Sequence, residues 1–250
     1  MDQKSTLHGV QAFVFDLMGT CTDWRRSILA AMQQHPVPPP LDSSDLITLA
    51  SDWRAGFFDA IFESFDAGEE SPDIDVVHAR VLDKLLQDRD VGTDVWDAAV
   101  REHLVRSWHV QAAWPDSIQG LTRLKDPCVV VVLANGTTRL QLDIIRSARL
   151  PFDTLFSSQL LQATKPNPAI YLKALDLMAL HPEQTAMVAA HAYDLRAAAK
   201  IGMKTVYVQR STEDPNEDME AIRAEVDLFI SGLDEGEGLL ELAALMNFNI

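Results

Sequence analysis

The sequence has few cysteines, an excess of acidic over basic residues and no long apolar run. With two cysteines in 250 residues, a disulfide scaffold is excluded and a reduced intracellular compartment is favoured. Lys and Arg number 21 against 37 Asp and Glu, and the net charge of -16 argues against nucleic acid or an anionic membrane as partner. There is no cationic leader with an apolar segment, and no apolar run of about 18 residues. We therefore expect a soluble, cytoplasmic protein.

Short apolar runs alternate with helical periodicity at the start of the chain and again after residue 115. The runs predict strands at residues 10–16, 128–134, 154–157, 185–190, 203–209 and 228–230. Helical patterns follow at residues 138–148, 168–179, 194–201 and 239–246. A nearly unbroken apolar strand such as 128–134 is typical of a parallel sheet that is covered on both faces. The alternation predicts an α/β fold with a doubly wound parallel sheet.

The segment 22–114 has a different sequence pattern, because helical periodicity dominates it and no strand-like run is present. Apolar residues recur at helical spacing within 24–32 and 46–58, and two further helices are predicted at 77–87 and 95–108. The prolines of residues 36–40 separate the first two helices. The acidic residues of 211–220, by contrast, predict a solvated loop. The sequence therefore predicts a helical insert directly after the first strand.

The first strand ends in a carboxylate, which is a costly place for a charge. Residues 10–20 read V-Q-A-F-V-F-D-L-M-G-T, so that Asp16 follows the apolar run and Gly19 allows a sharp turn. In open α/β sheets, ligands bind at the carboxyl ends of the strands. Asp16 is therefore a candidate nucleophile or metal ligand, and the alternative is a turn residue that caps the next element.

The F-D-x-x-G-T pattern resembles the first motif of the haloacid dehalogenase superfamily, in which the aspartate is a covalent nucleophile. Most members are magnesium phosphatases with a second aspartate two residues later as general acid. Met18 occupies that position here, and a thioether cannot donate a proton. A departing halide needs no proton, so the chain resembles the 2-haloacid dehalogenase branch. The resemblance implies a Rossmann-like core of residues 1–22 and 115–250, with a helical cap of residues 23–114.

Two further motifs carry the same resemblance. Lys165 lies between two strand signals in K-P-N-P, and the resemblance implies that its ammonium pairs with Asp16 and keeps that carboxylate ionised. Tyr171 also matches and is a candidate for substrate binding, although it could simply pack its helix. Asn135 matches an amide that donates to halide or carboxylate, and it could also cap the following helix.

The last motif reads A-A-H-A-Y-D over residues 189–194. Asp194 matches a residue that orients the lysine and water. His191 replaces an asparagine and could position water, act as a general base, or be a histidine bonded at a strand end. Tyr193 matches an aromatic residue of the halide pocket. Ala190 stands where the phosphatases carry a magnesium ligand, so we expect no metal and no cofactor.

Cations must capture an anionic substrate locally, since the protein as a whole repels it. Arg54, in L-A-S-D-W-R, resembles the cap arginine that binds halide and carboxylate, and Arg25 and Arg26 are rivals for this role. Thr20 is expected to help hold the substrate. Ala134 and Ala189 depart from the family pattern, since each replaces a hydroxyl donor.

The resemblance implies a metal-independent hydrolase in which Asp16 displaces halide from a short 2-halo carboxylate. Water then cleaves the aspartyl ester to give a 2-hydroxy acid. Two alternatives remain open: a magnesium-dependent phosphatase acting on a small phosphate ester, and a divergent or non-hydrolytic binding protein. The partner expected is a small anionic molecule, and a homodimer is an open alternative for the assembly.

Overall fold

The computed structural model describes residues 6–66, 73–234 and 237–246 of the chain. The chain divides into two compact units, one formed by Met1–Asp23 with Ala113–Ile250 and the other by Trp24–Ala112. We call them the sheet unit and the helical unit. That they act as a catalytic core and a cap stays a prediction.

The strands that the structure describes are β1 (Ala12–Phe15), β2 (Thr22–Asp23), β3 (Ala112–Ala113), β4 (Val129–Ala134), β5 (Thr154–Ser157), β6 (Thr185–Ala189), β7 (Lys204–Val208) and β8 (Leu228–Ile230). Six of them form the parallel sheet of the sheet unit, in the order β5-β4-β1-β6-β7-β8. This arrangement confirms the predicted α/β class.

The central strands form the core of the sheet unit, because they are apolar and fully covered. Every residue of β1 and of β6 is buried, which is the pattern of parallel strands with helices on both faces. Phe15 at the end of β1 pairs in register with Val132 on one side and Val188 on the other. Asp16 is thus the first residue after the carboxyl end of a central strand.

The strand order reverses direction at β1. The chain proceeds from β1 to β4 and β5 on one side, and then to β6, β7 and β8 on the other. The carboxyl ends of strands next to such a switch point are where α/β sheets bind ligands. The segments that follow β1, β4, β6 and β7 are therefore the expected site-forming segments.

Within residues 24–66 and 73–112, the helical unit has four helices that pack in sequence order. They are α1 (Trp24–Met32), α2 (Asp45–Asp66), α3 (Ile74–Gln87) and α4 (Ala98–Ser107). The predicted apolar face of α2 is present, since Leu46, Leu49 and Trp53 are buried. Trp53 packs edge-on against Trp108, whose ring stacks on Trp24.

The sheet unit carries the remaining helices. They are α5 (Ser117–Leu124), α6 (Thr138–Ala148), α7 (Ser158–Leu161), α8 (Pro168–Met178), α9 (Ala192–Lys200), α10 (Met219–Glu225) and α11 (Leu239–Met246), with a 3₁₀ helix at Pro182–Gln184. Helices α5, α7 and α10, all of which are short, were not predicted from the sequence. Among the helices the structure describes, none is long and apolar enough to cross a membrane.

Candidate active site

Asp16 lies at the centre of the site, immediately after β1, and is buried. Its backbone N–H donates to the carbonyl of Val188 at 3.0 Å, which continues the pairing of β1 with β6. Its Oδ2 accepts from the Thr20 hydroxyl at 2.8 Å, and that hydroxyl in turn accepts from the backbone N–H of Ala190 at 2.9 Å. Thr20 therefore holds Asp16 in one orientation. From the sequence, Thr20 was expected to contact the substrate.

Lys165 provides the main counter-charge for Asp16. Its side chain is buried, and Nζ lies 2.8 Å from Oδ1 of Asp16 and 2.5 Å from Oδ2 of Asp194. Burial opposes the charge, but the two carboxylates raise the pKa of Lys165 above its ordinary value. The ammonium thus bridges two buried carboxylates.

The backbone of Lys165 is fixed by Asn135, which follows β4. The side-chain Oδ1 of Asn135 accepts from the Lys165 N–H at 2.8 Å, and its Nδ2 donates to the Lys165 carbonyl at 3.1 Å. Both ends of the amide are therefore engaged by the lysine loop. The structure gives Asn135 a positioning contact, and its predicted contact with halide stays a prediction.

Asp194 lies in the first turn of α9 and is fully buried. Its Oδ1 accepts from the Tyr171 hydroxyl at 2.5 Å, while its Oδ2 faces Lys165. Burial and the nearby charge of Asp16 raise the pKa of Asp194, against the opposing effect of Lys165. Tyr171 is therefore more than a packing residue of α8, because its hydroxyl orients Asp194.

His191 lies between two carboxylates. Its Nδ1 is 3.2 Å from Oδ2 of Asp16, and its Nε2 is 2.7 Å from Oε2 of Glu213. Burial disfavours the charged ring, but the carboxylates of Asp16 and Glu213 raise the pKa of His191 to about 10. Although burial acts in the opposite direction, Lys165 and His191 hold the pKa of the Asp16 carboxyl well below its usual range.

Glu213 is the site residue that the sequence analysis missed, and the prediction that residues 211–220 form a solvated loop is wrong at this position. Glu213 is buried, and its Oε1 accepts from the Thr212 hydroxyl at 2.6 Å. Gly19 has a φ of +86°, and a Cβ there would lie 2.4 Å from Cδ of Glu213. Nothing in the composition of the loop separates Glu213 from its acidic neighbours, so its burial is a purely tertiary effect.

The other predicted residues of the sheet unit surround this group. Met18 and Tyr193 are half-buried, and the Tyr193 ring centroid is 5.8 Å from that of His191. Ala134 and Ala189 are buried at the ends of β4 and β6. Cys21 is also buried, which raises the pKa of its thiol well above the usual value and leaves it an inert apolar residue.

Arg54 belongs to the helical unit and is held there by aromatic rings. Its guanidinium carbon lies 4.3 Å from the Phe58 ring centroid, 5.6 Å from that of Trp24 and 5.9 Å from that of Trp108. The side chain is buried. Such stacking suits arginine, because the guanidinium is planar and weakly hydrated. Arg26 is exposed and Arg25 is half-buried.

The donor set around Asp16 does not fit a divalent cation. Among residues 6–66, 73–234 and 237–246, no group of three or more His, Cys, Asp or Glu side chains is arranged to hold a metal ion. The ammonium of Lys165 lies between the carboxylates of Asp16 and Asp194, which are the acidic groups a hard cation would need.

Comparisons with known proteins show the family of the chain. A family model described as haloacid dehalogenase-like hydrolase matches residues 10–202. The chain is 27% identical over 130 residues to (S)-2-haloacid dehalogenase 4A of Burkholderia cepacia, and the match covers 51% of this chain and 56% of that enzyme. The chain thus spans about half the length of this curated relative.

Two solved structures are similar over nearly their whole length. One is an L-2-haloacid dehalogenase with a TM-score of 0.81 and 29% identity, covering 96% of this chain and 100% of that one. The other is described as a defluorinating L-2-haloacid dehalogenase, with a TM-score of 0.79, 31% identity and coverage of 95% of both chains.

Proposed function

The chain belongs to the haloacid dehalogenase-like hydrolases, and from this premise we propose that it is a metal-independent dehalogenase of short 2-halo carboxylates. The single observation that carries the proposal is the 2.8 Å contact between the Lys165 ammonium and Asp16. A buried lysine provides the positive charge that would otherwise have to come from a metal ion. The similarity to L-2-haloacid dehalogenases supports the choice of substrate class.

In the first step, a carboxylate oxygen of Asp16 attacks C2 of the substrate and displaces halide from the opposite face. The C–O bond forms as the carbon–halogen bond breaks, the halide leaves with the bonding electron pair, and the configuration at C2 inverts. Halide needs no proton to depart, so Met18 in place of an acid is no obstacle. Alignment of the two reacting groups can contribute about 7–11 kcal/mol toward lowering the barrier.

In the second step, water attacks Cγ of Asp16 in the ester, and the alkoxide of the 2-hydroxy acid departs. One proton of the water goes to this alkoxide, and the other is released to solvent. The carboxylate of Asp16 is thereby regenerated. The ammonium of Lys165 keeps this carboxylate ionised for the next cycle, since an adjacent cation favours the charged form.

The substrate carboxylate needs a cation of its own, because the protein carries a net charge of -16. We assign this role to Arg54, whose planar guanidinium pairs with a carboxylate in two places and stays charged at every working pH. Asn135, Tyr193 and Met18 are assigned to the halide and the substrate chain. A cytoplasmic location fits the free thiols of Cys21 and Cys128.

The test is halide release from 2-chloropropionate and 2-bromopropionate in the presence of EDTA. The wild type is compared with Asp16→Asn, which removes the nucleophile, and with Asp126→Asn, an exposed turn residue, as the matched control. We expect release that survives EDTA in the wild type and the control and is lost in Asp16→Asn. Release abolished by EDTA, or magnesium-dependent phosphate release from phosphate esters without dehalogenation, would overturn the proposal.

A further inference from the structure

Both ring nitrogens of His191 lie close to a carboxylate. Nδ1 is 3.2 Å from Oδ2 of Asp16 and Nε2 is 2.7 Å from Oε2 of Glu213. A neutral imidazole has one N–H and one lone pair, so that one of the two carboxylates would face a lone pair. The imidazolium has an N–H on each nitrogen, so that only this form presents a proton to both carboxylates. In the free enzyme, His191 is therefore a cation and cannot accept a proton.

Glu213 is fixed in place from three sides. Its Oε1 accepts from Thr212, its Oε2 faces His191, and its carboxyl group fills the space above Gly19, where no side chain would fit. A buried carboxylate is costly unless it is paired and hydrogen-bonded. The protein thus holds a second carboxylate next to His191, on the side away from Asp16.

We propose that His191 and Glu213 form a dyad that activates the water for hydrolysis of the Asp16 ester, with His191 as general base and Glu213 as its positioning residue. This inference rests on the proposed function. Formation of the ester removes the negative charge of Asp16, and the Nδ1 proton loses its anionic acceptor and leaves to solvent. Glu213 keeps the proton on Nε2, so the lone pair appears at Nδ1, beside the ester.

The atoms and charges of the step balance. Nδ1 of His191 accepts a proton from water as the water oxygen bonds to Cγ of Asp16. The tetrahedral intermediate then expels the alkoxide of the product, which takes that proton from His191. Asp16, now a neutral carboxylic acid, finally transfers its proton to Nδ1 of His191. Each turnover consumes one water and releases one halide, one hydroxy acid and one proton.

The geometry favours His191 over Asp194 for this role. Each oxygen of Asp194 already has a buried donor, Lys165 on Oδ2 and Tyr171 on Oδ1. By contrast, the Nδ1 atom of His191 faces the oxygen of Asp16 itself. Where the resembling enzymes have an asparagine, this chain has His191. The carboxylate that pairs with it, Glu213, lies outside the motifs that carry the resemblance.

A single-turnover experiment with 2-bromopropionate separates ester formation from ester hydrolysis. Halide release reports the first step, and mass spectrometry of acid-quenched protein reports the ester on Asp16. The variants are His191→Asn and Glu213→Gln. Glu217→Gln is the matched control, since Glu217 lies in the same loop but pairs with Arg196.

We expect both variants to release about one equivalent of bromide and then accumulate the ester. Hydrolysis should slow by about 10²–10⁴-fold in His191→Asn, the usual contribution of a general base, and by less in Glu213→Gln. Glu217→Gln should behave as wild type. An ester that decays at the wild-type rate in both variants, or equal slowing of both steps, would overturn the dyad. A wild type that forms neither bromide nor ester would instead refute the proposed function.

Discussion

The ammonium of Lys165 lies 2.8 Å from Oδ1 of Asp16, although the two residues are 149 positions apart in the chain. Both side chains are buried, so the pair is screened little by solvent. Neither charge would be tolerated there alone. The sheet topology brings them together, since Asp16 follows the central strand and Lys165 is held by the residue that follows the neighbouring strand.

Replacement of Lys165 by methionine should abolish most of the halide release at neutral pH. Without the ammonium, Asp16 and Asp194 become two neighbouring buried carboxylates, and one of them takes up a proton. A protonated Asp16 cannot attack carbon. We expect a loss of at least about 10²–10³-fold, with partial recovery as the pH is raised and Asp16 ionises again. A pH profile of halide release measures both effects.

The matched control for this variant is Lys84→Met, because Lys84 is exposed and forms a surface pair with Asp88. Exposed pairs of this kind contribute little to stability. A Lys165→Met protein that retains its thermal transition and shows wild-type release at pH 7 would contradict the role of the ammonium.

Tyr171→Phe should lower kcat by about tenfold or more and leave KM nearly unchanged. The hydroxyl of Tyr171 donates to Oδ1 of Asp194, and a hydrogen bond to a charged group contributes about 1.5–3 kcal/mol. Loss of this bond frees Asp194 to turn away from Lys165. Steady-state halide release separates the two constants.

The comparison for Tyr171 is Tyr207→Phe, another buried tyrosine of the sheet unit, whose hydroxyl donates to Asp214 at 3.3 Å. We expect Tyr207→Phe to keep the wild-type kcat. A rise in KM with unchanged kcat in Tyr171→Phe would instead support the contact with substrate that the sequence suggested.

Local patterns of the sequence were sufficient to predict the sheet and several of the side chains that the structure brings together around Asp16. The run of residues 128–134 is apolar throughout because β4 is covered on both faces, and Asp16, Asn135 and His191 each follow such a run. Polar residues at the ends of buried strands are informative, because few structural roles require them there.

Glu213 shows why the remainder of the site could not be predicted. Its neighbours in the loop are polar and acidic, and its burial depends on His191, 22 residues away, and on the absence of a side chain at Gly19. The short helices α5, α7 and α10 were not predicted for a similar reason, since contacts distant in the sequence determine their positions. Gly120 of α5 is placed by close approach to Leu239 of α11, which no local pattern reveals.

Arg54→Met should reduce kcat/KM for 2-halopropionates by about 10²-fold, since a bidentate pair with a carboxylate is lost. Methionine keeps apolar contact with the rings of Trp24 and Phe58, so the helical unit should stay folded. Arg26→Met is the control, because Arg26 is exposed and was a rival for the same role. The reverse outcome, in which Arg26→Met loses activity and Arg54→Met does not, would show that the assignment of Arg54 is wrong.

His191 should make the protein lose stability as the pH rises from 7 to 9. The folded protein raises the pKa of His191 to about 10 from an unfolded value of 6.5 through Asp16 and Glu213. The stabilisation is therefore complete below pH 6.5 and is lost as the pH climbs toward the folded value. Over these two pH units the loss is on the order of 2 kcal/mol.

Urea denaturation at fixed pH values measures this loss, and comparison with His191→Asn isolates it. Two further groups lie around the imidazole ring. Asp214 lies near His191 and has its pKa raised by burial, and the ring of Tyr193 contacts that of His191. An Asp214 carboxyl that is already ionised at pH 7 adds no slope. The buried thiols of Cys21 and Cys128, whose pKa values are raised by burial, add a smaller slope once the unfolded thiols begin to ionise above about pH 8, and they do so in every variant alike. We expect only the shallow contribution of the thiols from pH 7 to 9 in His191→Asn, and the wild-type slope in His8→Asn, an exposed histidine. A wild-type slope that persists in His191→Asn would mean that the ring is neutral in the folded protein, and the cation assigned to the free enzyme would then be wrong.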